Sequence, residues 1–316
     1  MLVVGVGLVL TLALSLTRGA VPLSVAELYQ ALQHQGSSVN QTIVWDLRLP
    51  RILAALTVGS ALGLSGALLQ GMLRNGLAGP FILGISAGAG LMAVVLITLG
   101  SMQSWVPLAS WLGALATTAL VYLLARSPSG VSVERLVLGG VAISSMFGAV
   151  QSMLLLLSND GRIQAALNWL IGSLNGRGWD ELQMVGPYIA VALLAGCSLA
   201  RVMNLLQLGD DLAVSLGVSL GRSRLLIGAI ASLLAASAVS VAGLVGFVGL
   251  IVPHGVRLLV GTDYRWVLPL SVLGGAWILL LADSLSRLGA IELPVGVVTA
   301  LLGSPVFIWL LYRRRV

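Results

Sequence analysis

Residues 75–125 read NGLAGPFILGISAGAGLMAVVLITLGSMQSWVPLASWLGALATTALVYLLA, with no charged side chain. A helix needs about 20 apolar residues to cross the hydrocarbon core of a bilayer. This stretch therefore holds two spans, joined by a turn near Ser101–Pro107 (SMQSWVP). The same pattern continues outward. Charge-free stretches cover 52–73, 136–159, 182–200, 225–256, 266–282 and 293–312, and residues 2–17 are apolar as well. The 225–256 stretch carries one span and part of another, broken at Gly243, Gly246, Gly249 and Pro253. The expected fold is all-α, a single polytopic membrane domain over 1–316 with about ten transmembrane helices. Their expected positions are 1–17, 52–72, 83–100, 107–125, 136–157, 183–201, 225–244, 248–260, 266–287 and 293–312. The alternating ten-residue segments of a membrane β-barrel are missing.

Composition agrees. Of 316 residues, 58% are hydrophobic and 9% charged, with a mean hydropathy of +1.03. A soluble domain carries about 25% charge, so a soluble enzyme, a disordered chain and a nucleic-acid binder are all excluded. The pI near 10.4 reflects a net charge of only +6, thinly spread. All 17 basic residues are arginine. Without lysine there is no G-x-x-x-x-G-K-[ST] phosphate loop, so the chain cannot hydrolyse ATP alone and is not read as an enzyme. His34 and His254 are too few and too far apart for a metal cluster, and Cys197 has no disulfide partner. No metal site and no cofactor is expected. The opening MLVVGVGLVLTLALSLTRGA lacks a basic n-region and reads as a first span, although Ser15 and Ala20 leave a cleaved signal peptide open.

Arginine placement reports orientation, because cytoplasmic loops are enriched in basic residues. If the Arg313–Arg315 tail is cytoplasmic, ten spans put the N-terminus inside too. Arginines 74, 126, 135, 201, 222, 224, 257, 265, 313, 314 and 315 then face inward, and 18, 48, 51, 162, 177 and 287 outward. Small residues at helical spacing (Gly59, Gly63 and Ala67; Gly84 and Gly88; Gly217 and Gly221) predict close helix contacts. Trp45, Trp105, Trp179, Trp266 and Trp309 fit interfacial belts.

Three segments lie outside the spans: 18–51, ending WDLRLPR; 158–182, SNDGRIQAALNWLIGSLNGRGWDEL; and 202–224, VMNLLQLGDDLAVSLGVSLGRSR. The last has Leu212, Leu216 and Leu220 at four-residue spacing, with Asp210 and Asp211 suited to a helix start. It is either a helix pair that docks on a protein or a helix lying in the interface. Arg48 and Arg51 oppose the positive-inside trend, and their residue type suits headgroup-phosphate anchors or snorkelling helix caps. Asp283 lies four residues before Arg287, a spacing that suits a structural pair. Glu292, just before Leu293–Pro294, suits a cap on the last helix.

Five stretches carry a resemblance: RLPR at 48–51, GALLQGMLRNGLAGPFILGISAGAG at 66–90, MNLLQLGDDLAVSLGV at 203–218, GFVGLIVPHGVRLLVGTDYR at 246–265 and ELPVGVVTALLGSPVFIWLL at 292–311. Through them the chain resembles the permease subunits of ATP-binding-cassette importers for iron–siderophore complexes, haem and cobalamin. Gly76 departs from the proline usual there, and the Arg287–Glu292 gap is short. The resemblance implies a partnership with a second permease subunit, identical or paralogous, and with two ATPase subunits that hold ATP and magnesium. It also implies an extracytoplasmic solute-binding protein and a bacterial cytoplasmic-membrane location. Arg48, Arg51 and Arg287 are then the residues for binding-protein docking. Asn75, Leu77, Ser132 and Val133 map to the cytoplasmic gate. Leu208, Gly209, Asp210, Asp211, Ala213, Leu216 and Gly217 map to the loop that couples to the ATPase. Ferric siderophore is the expected cargo, with cobalamin and haem as alternatives. A competing class is an ion-coupled secondary transporter using Asp283, Glu292 and His254.

Overall fold

The computed structural model describes residues 2–19, 21–100, 103–127, 130–289 and 291–313. Ala20, Ser101, Arg314 and Arg315 therefore lie outside the described residues. The helices are α1 (Leu2–Thr17), α2 (Val25–Leu32), α3 (Ser38–Thr42), α4 (Leu49–Met72), α5 (Ile85–Leu99), α6 (Val106–Leu124), α7 (Val133–Leu156) and α8 (Asp160–Ile171). They continue as α9 (Trp179–Ser198), α10 (Ala200–Gln207), α11 (Asp210–Ser215), α12 (Leu220–Ala242), α13 (Val248–Val260), α14 (Tyr264–Ser286) and α15 (Val295–Arg313). The only strands among the described residues are the two-residue pair Arg126–Ser127 and Gly130–Val131, antiparallel.

Among the described residues, six helical stretches are long and apolar enough to cross a membrane: Ser38–Met72, Val106–Leu124, Val133–Leu156, Trp179–Ser198, Leu220–Ala242 and Tyr264–Ser286. Four shorter apolar helices accompany them: Val3–Thr17, Ile85–Leu99, Val248–Val260 and Val295–Trp309. Each of the ten apolar segments expected from sequence coincides with one of these helices.

The core is built around α4, which is buried at nearly every position from Val58 to Met72. It packs against α14, α12, α13 and α9. A second group, α5 to α8, lies beside it. At Pro50 the missing N–H leaves the helical ladder one bond short. The backbone just before it widens into a π-helical turn over Ile43–Arg48, which joins α3 and α4 in one helical run.

Glycines set the closest approaches. A Cβ on Gly59 would sit 2.3 Å from the Gly275 carbonyl oxygen, and one on Gly63 would sit 2.2 Å from that of Ser271. Backbone meets backbone along α4 and α14, as small-residue spacing predicts. Gly217 and Gly221 differ, because a Cβ there would meet open space. Their spacing reflects a turn and a helix start rather than packing.

Two segments read as loops contain helices. α2 begins with a capping box in which the Ser24 hydroxyl and backbone N–H engage Glu27. α8 begins on Asn159, whose side chain accepts from the Arg162 N–H.

Candidate docking, gate and coupling sites

Functional candidates gather at opposite ends of α4. At its first end, Arg48 is buried and donates to the carbonyls of Leu16 and Val21. Arg51 donates to Asp283 through Nε (2.9 Å to Oδ1) and Nη2 (2.7 Å to the same oxygen). Its Nη2 also lies 2.5 Å from Glu292 Oε1. Arg287 Nη2 lies 3.0 Å from Asp283 Oδ2 and donates to Ser15 Oγ at 2.5 Å. Asp283 has no exposed surface; Arg51 reaches both of its oxygens, with Nε 3.2 Å from Oδ2, and Arg287 shares Oδ2. The three arginines thus tie α1, α4 and α14 to the segment before α15. The Asp283–Arg287 pair expected from spacing is present, and Glu292 reaches Arg51. Arg48, Arg51 and Arg287 all border a cavity of about 500 Å³.

At the other end lies the turn after α4. Arg74 has a positive φ of 48°, and Asn75 Oδ1 accepts from the Leu77 N–H at 2.9 Å. That side-chain turn is what an Asn-Gly pair favours. Ser132 caps α7, its hydroxyl accepting from the Arg135 N–H at 3.4 Å. Val133 opens α7, which packs on the Pro80–Leu83 turn beyond Leu77.

α10 and α11 form a helix pair that reaches into the 202–224 stretch. Leu208, Leu212 and Leu216 are exposed, Asp211 is exposed and Ala213 is buried. Gly209 and Gly217 both have positive φ. Asp210 does not stand free. Arg224 Nη2 donates to it at 2.8 and 2.9 Å, and Arg74 Nη2 lies 3.7 Å away. The turn after α4, the α10–α11 segment and α12 therefore meet at one carboxylate.

Several anchoring residues were not singled out by sequence. Asn204 Nδ2 donates to Asp263 at 2.7 Å, and its Oδ1 accepts from the Tyr264 N–H. The Arg265 N–H and Asn204 together hold the Asp263 carboxyl below the usual carboxylate range. Gln207 Nε2 donates to the Gly71 carbonyl at 3.0 Å. Gln70, inside the bundle, donates to the Leu250 carbonyl at 3.1 Å and accepts from Arg257. A visible signal was Gln70 itself, an amide within an apolar helix, which must find partners when buried.

Known proteins share this architecture. The chain is 45% identical over 278 residues to the cobalamin import system permease protein of Halobacterium salinarum, covering 87% of this chain and 75% of that protein. It is 38% identical to the hemin transport system permease protein of Yersinia pestis, covering 99% and 96%. A solved structure described as an inward-facing conformation of a metal-chelate type ABC transporter superposes with a TM-score of 0.90 at 34% identity, covering 99% of this chain and 98% of that one. The chain is a multi-pass membrane permease, and since the FecCD transport family matches it over residues 7–313, it belongs to that family.

Proposed function

We propose that this chain is the membrane subunit of an ATP-driven importer that carries ferric siderophore, or a related iron chelate, across a bacterial cytoplasmic membrane. It crosses ten times with both termini inside. It works with a second permease copy or paralogue, two ATPase subunits carrying ATP and magnesium, and an extracytoplasmic binding protein. The observation that carries this reading is the inner surface. Leu208, Leu212 and Leu216, at four-residue spacing, are exposed apolar side chains, as is Val214, while Asp210 in the same segment holds Arg74 and Arg224. Exposed apolar side chains gathered on one short segment suit a protein partner, and the carboxylate passes its displacement to the gate turn and α12. ATP-driven closure of the ATPase subunits then tilts helices as rigid bodies, giving alternating access.

At the outer end, Arg48, Arg51 and Arg287 already have partners within the chain. Docking is therefore an exchange, in which carboxylates of the binding protein compete with Asp283, Glu292 and backbone carbonyls for guanidinium groups. Cobalamin is the second reading for cargo, favoured by the 45% identity to a cobalamin permease.

The test is uptake into vesicles reconstituted with the ATPase subunits and binding protein. Uptake should require ATP and binding protein, and parallel assays with ferric siderophore, cobalamin and haem identify the cargo. Uptake driven by a proton gradient without ATP would overturn the importer reading. Asp210→Arg should leave ATP hydrolysis running with transport reduced at least tenfold. Asp210→Arg paired with Arg224→Asp should recover part of it, because the exchanged pair restores the charge contact.

A further inference from the structure

A cavity of about 320 Å³ lies between α1 and α14, at the end of the bundle that holds Arg48, Arg51 and Arg287. The two helices run parallel there. Trp277 stands beside Gly7 and donates to Thr11 Oγ1 at 3.1 Å, and just past the end of α14 Arg287 reaches Ser15. Leu281, Leu285 and Leu288 line the cavity from α14 and the turn after it, and Leu14 lines it from α1. Leu14, Leu285 and Leu288 are exposed, so the cavity opens along its side. Val3 and Leu10, on the same face of α1 as Leu14, are exposed too. In a membrane-spanning chain such an unpacked apolar face is equally at home against acyl chains. The cations stand at the mouth. Arg18 continues the α1 ladder, its N–H donating to the Leu14 carbonyl at 2.8 Å, and its side chain is exposed. Among the described residues it forms no ion pair. Gly19 also lines the cavity, and a Cβ there would lie 3.2 Å from Arg48 Nη2. Arg48 donates to the carbonyls of Leu16 and Val21, on either side of Arg18, and to no carboxylate among the described residues. Asp283 and Glu292 balance Arg51 and Arg287. Arg18 and Arg48 therefore leave uncompensated positive charge at this end of α1. No Asp or Glu is among the described residues that line the cavity, and Asp283, with no exposed surface, does not face it.

We infer that this cavity binds one phospholipid with an anionic headgroup, of the phosphatidylglycerol kind, its phosphate at Arg18 and an acyl chain along Leu285 and Leu281. The order of groups along the helices matches the order of groups in the lipid. Arg18 lies one turn beyond Leu14, and Leu288 lies about two turns, roughly 10 Å at 1.5 Å per residue, beyond Leu281. Cationic groups thus come first and leucines follow at increasing depth. A zwitterionic headgroup would bring its own ammonium to a mouth that already carries excess positive charge. An anionic one brings only what the two arginines lack, the chemistry by which basic pockets between membrane helices select headgroups. The site depends only on the chain spanning a membrane, not on which solute it carries.

The test is a lipid titration of the delipidated full-length chain in detergent, read by native mass spectrometry. Phosphatidylglycerol and phosphatidylcholine with the same acyl chains are the probes. One phosphatidylglycerol per chain should bind at least about fivefold tighter than phosphatidylcholine, and it should raise the unfolding midpoint. Arg18→Gln should weaken phosphatidylglycerol about fivefold and leave phosphatidylcholine nearly unchanged. Leu288→Glu, which sets a carboxylate in the cavity wall, should weaken it at least as much. Arg222→Gln, at the exposed start of α12, should change neither lipid. Equal affinity for the two lipids, or phosphatidylglycerol binding that Arg18→Gln leaves intact, would overturn the inference. So would equal weakening by Arg222→Gln, which would mean a general attraction to positive charge. Glycerol phosphate, which has the headgroup without the chains, should not compete at the same concentration; competition would make this a site for a soluble phosphate. A change in subunit number on Arg18→Gln, with lipid binding unaltered, would assign the face to a protein contact instead.

Discussion

Asp283 is a carboxylate without solvent contact, held between Arg51 and Arg287. Removing one member of such a cluster strands charge, whereas replacing all of it with apolar groups does not. Asp283→Ala should therefore destabilise the chain by about 3–5 kcal/mol, measured by denaturant titration in detergent. Arg287→Ala should cost less, because Arg51 still neutralises the carboxylate. The triple replacement Arg51→Met, Asp283→Leu and Arg287→Met should recover most of the loss. A triple variant less stable than Asp283→Ala would show that the ions themselves hold α1, α4 and α14 together. Half of this cluster was legible in the sequence, since Asp283 and Arg287 are one helical turn apart. Arg51 was not, because the separation of 232 residues is closed only by tertiary packing.

Helix positions were legible because lipid imposes them. A span must be apolar along its length and satisfy its own backbone, so charges and helix ends coincide. Helices outside the hydrocarbon carry no such constraint. α2 and α8 showed only their caps, Ser24 with Glu27 and Asn159 before Asp160, signals that a reading for apolar runs passes over. Packing is legible in part, because small residues mark contacts only where a neighbour lies against them. Gly63→Ala places a Cβ 2.2 Å from a backbone oxygen of α14, which no side-chain adjustment relieves. It should cost about 1–3 kcal/mol and lower the unfolding midpoint. Gly221→Ala, in α12 with open space around it, should be neutral or stabilising by up to about 1 kcal/mol. Equal effects from the two would refute the backbone contact between α4 and α14.

Two ionic clusters stand at opposite ends of the bundle, Arg48, Arg51, Asp283, Arg287 and Glu292 at one and Arg74, Asp210 and Arg224 at the other. Their separation bears on the ten-span reading proposed above. If the five helices α4, α5, α6, α7 and α9 between Val39 and Leu216 all cross, as that reading has it, these two residues lie on opposite sides. From Leu216 the chain returns by α12 to Ala242, whose carbonyl accepts from the Ser173 N–H. It must then come back to Asp263, which Asn204 holds at the inner end. α13 covers only about 20 Å at 1.5 Å per residue, short of the roughly 30 Å core. In the ten-span reading the non-helical stretch 243–247 completes the crossing. Irregular backbone is tolerated at membrane depth only where protein covers it; Gly243 and Val245 are buried, and Leu244, Gly246 and Phe247 half-buried. In that reading α14 then brings Leu288 back to the side of Val39. Cysteine labelling tests this count. In a Cys197→Ala background, Val39→Cys and Leu288→Cys should react with a membrane-impermeant maleimide from outside intact cells. Leu216→Cys should react only after permeabilisation. All three positions are well exposed within the chain itself, at 65%, 69% and 57%, so the chain's own packing does not silence them. Labelling of Leu288→Cys from the same side as Leu216→Cys would mean that α13 and its irregular lead do not cross, and the chain would have nine spans.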